Sequence, residues 1–284
     1  MGLRDAEGAV SGDVRIAVNF SLSMPFRSKL LVDRVGICSK GVLQASRGIL
    51  SNMIIWLASY PRSGNTLLRI ILNCVFGVKT ASFYSNPLEE RLPDAVGHCI
   101  LSDKVDVLSS SNVSYFVKTH ELPNHEDKSP AVYVVRDGRD TLVSYAHFAL
   151  LYDAQTIKAG MTFEQVLQML IESKWHFGGW SEHVKEWVNR EAPTALVRFE
   201  DMVVDPVGVV AKAFNDINFP ISQPMGMVPE FGELQNSMPE FFRKGQTGTW
   251  RAEMRFCVEE LFWSIHGEVM NSIGYSRIVN LSEI

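Results

Sequence analysis

The sequence predicts an α/β fold in which a parallel β-sheet is flanked by helices, and three junctions carry that prediction. At Met53–Ala58, Ala131–Val135 and Thr194–Phe199 an apolar run of strand length breaks at a turn and gives way to a helical pattern. Strands that alternate with helices are joined by crossovers, which make them parallel and cover both sheet faces. The composition allows this in one domain, since 284 residues of 46% hydrophobic content bury a full core. A net charge of −5 argues against a general nucleic-acid-binding surface. No apolar run reaches the roughly 18 residues that span a bilayer.

Residues 1–52 stand apart. Seven Lys/Arg and four Asp/Glu give this stretch +3, against −8 on residues 53–284. From Ile16 to Asn52 it is rich in Ser, Arg and Lys, with Asp33 the single acid and no sustained period. It reads as a disordered or non-native leader ahead of an internal start at Met53, or as a targeting peptide, which shares that composition. The domain proper is expected over 53–284. Cys38, Cys74, Cys99 and Cys257 are widely spaced, without a CxxC or a zinc-like His pairing. They suggest free thiols in a reducing, cytoplasmic setting.

The first junction is the most informative. Strand Met53–Ala58 breaks at Ser59-Tyr60-Pro61, Gly64 punctuates the loop, and Leu67–Leu72 reads as a buried helix. A strand, a tight loop and a helix start gather unpaired N–H groups beside the positive end of the helix dipole, which favours a phosphate. Arg62 adds a charge there, and Ser63 and Thr66 add hydroxyls. An ordinary β–turn–helix junction is the plainer alternative. No Gly-Lys-Ser/Thr follows the glycine, so the architecture is P-loop-like without being the usual ATP/GTP loop.

From Phe76 to Asn112 the chain reads as irregular, with a helix around Leu101–Leu108. Ser114–His120 is a strand that ends in Lys118-Thr119-His120. Residues two apart project to one face, so Lys118 and His120 can address one site at a strand's carboxyl end. The buried strand Ala131–Val135 runs into Arg136, whose planar fork suits phosphate oxygens. A helix follows from about Asp140 to Leu151, with Asp140 as N-cap and Ser144 one turn inside.

Thr162–Asn189 is helical in pattern, with a break at Gly178-Gly179 and aromatic residues suited to the core. Thr194–Phe199 is a strand, and Pro206 opens a helix to about Asn215. Met225–Met238 reads as loop. Glu253–Ser272 is a closing amphipathic helix that ends at Gly274 in the manner of a C-cap. Trp56 is assigned to the core.

These blocks together resemble the sulfotransferase family, whose members use 3′-phosphoadenosine 5′-phosphosulfate (PAPS). The resemblance rests on Tyr60-Pro61-Arg62-Ser63-Gly64-Asn65-Thr66, on Lys118-Thr119-His120, and on Arg136 with Ser144 eight residues on. Arg198-Phe199-Glu200-Asp201-Met202 with Asp205-Pro206, and Phe242-Arg243-Lys244-Gly245 before Gly248-Thr249-Trp250, continue it in order. It implies a nucleotide-binding α/β sheet and a metal-free transfer of the sulfuryl group to a hydroxyl of a small organic acceptor.

Residue by residue, the resemblance makes His120 the base and sets Lys118 against the oxygen that bridges phosphorus and sulfur. Arg62 stands where the family has a lysine on the 5′-phosphosulfate, beside Ser63, Gly64, Asn65 and Thr66 around the 5′-phosphate. Arg136, Ser144, Arg243, Lys244 and Gly245 fall to the 3′-phosphate. Phe199 replaces a tyrosine that bonds the adenine and keeps only ring contact, and Thr249 replaces an expected acid. Cys257–Phe262 lacks the terminal acid of the family's short dimer motif, so the oligomeric state stays open, as does the acceptor. A nucleotide kinase or NTPase, and a non-catalytic nucleotide-binding protein, remain as rivals.

Overall fold

A computed structural model describes residues 53–83, 91–100, 114–153, 157, 160–173 and 177–277. The leader 1–52 with Cys38, and the helix expected around Leu101–Leu108, lie outside the described residues. Strand β1 (Ile54–Ser59) is followed by helix α1 (Asn65–Phe76). Short strands β2 (Thr80–Ser82) and β3 (His98–Ile100) come next, then β4 (Tyr115–Thr119) and β5 (Ala131–Val135). Helices α2 (Gly138–Tyr152), α3 (Phe163–Glu172) and α4 (Trp180–Val188) lead to β6 (Thr194–Arg198). The chain continues through α5 (Phe199–Val204), α6 (Pro206–Asp216) and α7 (Phe231–Ser237). A 3-10 turn, Thr249–Ala252, precedes α8 (Phe256–Ser272).

The six strands form one sheet in the order β3-β2-β4-β1-β5-β6, and each pairing is parallel. Parallel strands are buried on both faces, which is why β5 reads as an unbroken apolar run and every one of its residues is buried. Ile55, Leu57, Val132 and Val134 face Leu68, Ile71 and Val75 of α1 and Val210 and Phe214 of α6. Ala58, Ala131 and Tyr133 belong to the opposite core with α2, α3, α4 and α8, where Trp187 stacks on Tyr133 at 5.8 Å and 7°. Central β1 lies between β4 and β5. The carboxyl ends of these three strands therefore stand side by side, and the Lys118–His120 segment, the Tyr60–Thr66 loop and Arg136 meet at one edge.

Several local expectations are corrected. The N-cap of α2 is Asp137, whose Oδ1 accepts from the Arg139 N–H at 2.9 Å, so that helix starts two residues before Asp140. Strand β6 stops at Arg198, and Phe199 opens a short helix. The Met225–Met238 segment contains α7, whose Leu234, with Met238 just beyond it, packs on Ile70 and Val96. Glu253 lies ahead of α8, which begins at Phe256. The irregular stretch after α1 supplies β2 and β3, three residues each, too short to show a period.

Trp56 is only half buried, and its indole N–H donates to the Asp127 carboxylate. Other local expectations hold. The helical pattern from Thr162 is realised as α3, with a Thr162–Gln165 capping box that the structure adds, and Gly274, with φ at 83°, follows the end of α8. Among the described residues no helix is long and apolar enough to cross a membrane, and Cys74, Cys99 and Cys257 are free thiols.

Candidate active site

The loop from β1 to α1 is shaped by two left-handed residues, Arg62 at φ 69° and Gly64 at φ 111°. Only glycine fits at 64, because a Cβ there would stand 2.5 Å from the Phe199 ring. Arg62 holds a conformation that is uncommon and costly for a side-chain-bearing residue, of order 1–3 kcal/mol. Its side chain over-determines it. Nε donates to Ser144 Oγ at 3.2 Å, Nη2 donates to the Phe241 carbonyl at 2.9 Å, and the guanidinium lies 4.3 Å from the Phe241 ring centroid. The first-turn N–H groups of α1 have no helical carbonyl to reach. Asn65 serves the loop structurally, since its side-chain amide donates to the Leu57 carbonyl at 2.7 Å and ties the helix start to β1.

The cationic groups converge. Arg136 is buried, its guanidinium 4.6 Å from the Phe199 ring centroid and bonded to the Gln246 carbonyl at 2.9 Å and the Arg62 carbonyl at 3.5 Å. Burial, then the Arg136 and Arg243 guanidiniums, push Arg62 down to about 10. The Arg62 guanidinium, bonded to Ser144 and repelled by both Arg136 and Arg243, marks a place for a multivalent anion. Among the described residues, Ser63 Oγ and Arg136 Nε are buried without a hydrogen-bond partner, two donors that phosphate oxygens would satisfy. On this observation the residues present fit a phosphorylated nucleotide.

Across β1 from Arg136, Lys118 is buried and His120 lies just past the end of β4. His120 Nδ1 is 2.7 Å from the Ser59 carbonyl, an acceptor only, so Nδ1 carries the proton and Nε2 is the proton-accepting nitrogen. Burial first, then the Lys118 charge, hold the His120 imidazole well below 6.5. It is therefore neutral and able to act as a base at neutral pH. The His120 carbonyl accepts from His183 Nε2 at 2.9 Å, and the Tyr133 hydroxyl stands 2.9 Å from His183 Nδ1, so α4 and β5 fix the histidine's backbone.

Two carboxylates that sequence reasoning missed shape the late loop. Asp140, fully buried, accepts from the Gly248 N–H at 2.6 Å, Thr249 Oγ1 at 3.1 Å and the Trp250 N–H at 2.9 Å. Glu253 pairs with Arg243 at 2.7 Å, Lys244 at 2.7 Å and His147 at 2.5 Å. Their signal in the sequence was slight. Asp140 stands four residues after Arg136, and Glu253 looked like the start of a helix.

The sequence-predicted residues thus fall into two groups. Lys118 and His120 stand beside the β1 loop with Ser63, Gly64, Asn65 and Thr66. The Arg62 side chain joins Arg136, Ser144 and Arg243, and so lies with the set expected for the 3′-phosphate. Lys244 is turned to Glu253, Gly245 (φ 60°) packs against Phe231, and the Phe199 ring lies between Gly64 and Arg136.

Comparison with known proteins bears on the family and the fold. A family model described as "Sulfotransferase domain" matches residues 53–274. Sulfotransferase 1A1 of Rattus norvegicus is 23% identical over 89% of this chain and 98% of its own length. Sulfotransferase 4A1 of Mus musculus is 27% identical over 55% of this chain and 56% of its own. The crystal structure of mouse sulfotransferase SULT7A1 complexed with PAP superposes with a TM-score of 0.56 at 19% identity, covering 78% of this chain and 85% of that one. Retinol dehydratase, in complex with retinol and PAP, gives 0.54 at 18% identity over 81% and 84%. At these identities the structural likeness speaks to the fold.

Proposed function

This chain belongs to the sulfotransferase domain family, and from that premise we propose that it moves the sulfuryl group of PAPS to a hydroxyl of a small organic acceptor, with His120 as the base. The observation that carries the proposal is the juxtaposition at the sheet edge. A neutral imidazole with its proton fixed on Nδ1, a buried lysine and a helix-capping phosphate loop meet at the carboxyl ends of adjacent strands β4 and β1.

In this reading the β1 loop, through Ser63, Gly64, Asn65 and Thr66, holds the 5′-phosphate, largely by backbone N–H groups. His120 Nε2 takes the acceptor's proton as its oxygen bonds to sulfur. The bond from sulfur to the bridging oxygen breaks, and Lys118 stabilises the charge left on phosphate. Arg136, Ser144, Arg243, Lys244 and Gly245 are assigned to the 3′-phosphate, with Arg62 completing the cation set between the two phosphate sites. Phe199 contributes its ring to the nucleotide pocket. The three free thiols suit a reducing compartment, and the cytoplasm is the proposed location.

The test is transfer from sulfur-labelled PAPS across a panel of phenols, alkyl alcohols, sugars and natural-product hydroxyls, with products identified by mass. Labelled sulfate ester on an acceptor is the expected result. Tight binding of 3′,5′-adenosine bisphosphate (PAP) with no transfer to any acceptor would make the protein a nucleotide-binding module, and magnesium-dependent ATP turnover would make it a kinase. Arg243→Ala is expected to weaken PAP by roughly 10- to 150-fold, the worth of one hydrogen bond to a charged group, and to leave weak 5′-AMP binding nearly unchanged.

A further inference from the structure

The two cations of the late loop are already held by an anion of the protein's own. Arg243 Nη1 reaches both Glu253 oxygens, at 2.7 and 2.9 Å, and Lys244 Nζ reaches Oε1 at 2.7 Å. His147 Nε2, from the helix that carries Ser144, stands 2.5 Å from Oε2, with its ring stacked 4.4 Å from Phe163. Glu253 is not a mobile surface acid. Its own N–H donates to the Trp250 carbonyl at 2.9 Å, and that turn is tied to Asp140 by three hydrogen bonds. Glu253 is the more buried and the more firmly tied side of these pairs.

We propose that Glu253 is a resident anion that occupies the cations of the 3′-phosphate site and must yield them when PAPS binds. It thereby limits affinity for the bisphosphate product and speeds its release. The inference rests on the reading that Arg243 and Lys244 receive the 3′-phosphate.

The physical balance favours exchange. A carboxylate offers two oxygens and one negative charge, whereas a phosphate monoester offers three oxygens and close to two charges at neutral pH. The dianion can therefore displace the carboxylate, and part of its binding energy is offset by the ion pairs it breaks. 5′-AMP has no 3′-phosphate and breaks none. Burial opposes ionisation of Glu253, but its bonds to Lys244, Arg243 and His147 outweigh it and hold the carboxyl down to about 2, so the competitor is charged at every working pH. The partial exposure of Arg243 and Lys244, with side chains 26% and 37% accessible, leaves them room to move.

The test is calorimetric binding of PAP and 5′-AMP to the whole chain, with the PAP dissociation rate from stopped flow. Glu253→Gln keeps the shape and removes the charge. It should tighten PAP by roughly 3- to 30-fold, the scale of one or two partly exposed ion pairs, and slow PAP dissociation by a similar factor. Binding of 5′-AMP should stay within about twofold, because that ligand does not compete. Glu253→Asp keeps the charge but is one methylene too short to span both loop cations. It should tighten PAP by less, and it serves if the glutamine variant does not fold.

A gain in affinity is not what loss of a structural contact produces. Unchanged or weaker PAP binding in either folded variant would make Glu253 a support for the loop and overturn the proposal. If instead Arg243→Ala leaves PAP binding unaltered, the assignment of the 3′-phosphate to this loop fails, and the role of Glu253 with it.

Discussion

At the scale of single residues, two neighbours and burial set the state of the His120 ring. The Ser59 carbonyl fixes the tautomer, and burial and Lys118 keep the ring neutral. His120→Ala should lower the transfer rate by about 10²-fold or more while PAP binds within a few fold of the parent. Single-turnover rates beside calorimetry separate the two, and near-native turnover would remove His120 from the mechanism. A lowered imidazole pKa places the base-competent form on the alkaline side of a depressed value. The acid limb of kcat/KM should therefore fall below pH 6.5. In Lys118→Gln the limb should move up in pH, because the charge that disfavours imidazolium is gone. A limb that stays in place would show that Lys118 does not face the ring electrostatically.

At the scale of elements, the late loop, proposed as a wall of the nucleotide site, is held from a distance in sequence. Its 3-10 turn has no strong helix signal, and Asp140, over a hundred residues earlier, accepts its first N–H groups. Thr249 adds its hydroxyl to the same carboxylate, which accounts physically for a threonine in a place where the family resemblance led us to expect an acid. A second carboxylate there would face Asp140 directly. Asp140→Ala leaves these donors, and Arg136 at 3.8 Å, without their acceptor. The expected loss is about 3–5 kcal/mol of stability, with proteolytic cleavage appearing between Arg243 and Trp250 and PAP affinity reduced. Stability within about 1 kcal/mol of the parent would show that the turn is held by other means.

At the scale of the whole molecule, the core carries an acid sensitivity. Burial holds His183 and His266 down to about 4, and each accepts and donates hydrogen bonds as a neutral ring, His266 with Ser181 at 2.7 Å and the Ile171 carbonyl at 3.1 Å. The unfolded chain takes up protons at these positions near pH 6.5, and the folded chain does not until about 4. Stability is therefore complete above the unfolded value and falls as pH drops from 6.5 towards 4, by up to about 3 kcal/mol for each ring. Urea unfolding at pH 7, 6 and 5 should show this slope, and His266→Gln should reduce it. Equal stabilities across that range would contradict it. Since β1 begins at Ile54, a chain starting at Met53 is expected to unfold cooperatively and keep PAPS-dependent transfer. Insolubility of that chain would give the leader a structural part.

The sequence by itself determined the parallel α/β layout and named most of the residues that the fold brings to the carboxyl edge of the sheet. A parallel strand buried on both faces must be continuously apolar, as in Ala131–Val135, and a phosphate loop between strand and helix leaves a local mark in Pro61, Gly64 and the residues between them. The resemblance across Arg62–Thr66, Lys118–His120, Arg136 and Arg243–Gly245 added the chemistry, and the match over residues 53–274 agrees with it. Only the tertiary structure decided which partner each charge would take. Arg62 turned to Ser144 and Phe241, Asp140 became an anchor for the late loop and not a cap, and Glu253 took Arg243 and Lys244. Strands β2 and β3 and helix α7 were likewise invisible, being too short to repeat a pattern and held by packing such as that of Leu234 on Ile70. The reason is common to all of these. Periodicity and turn chemistry act within a few residues, whereas these contacts join groups 9 to 179 residues apart that only the folded chain brings together.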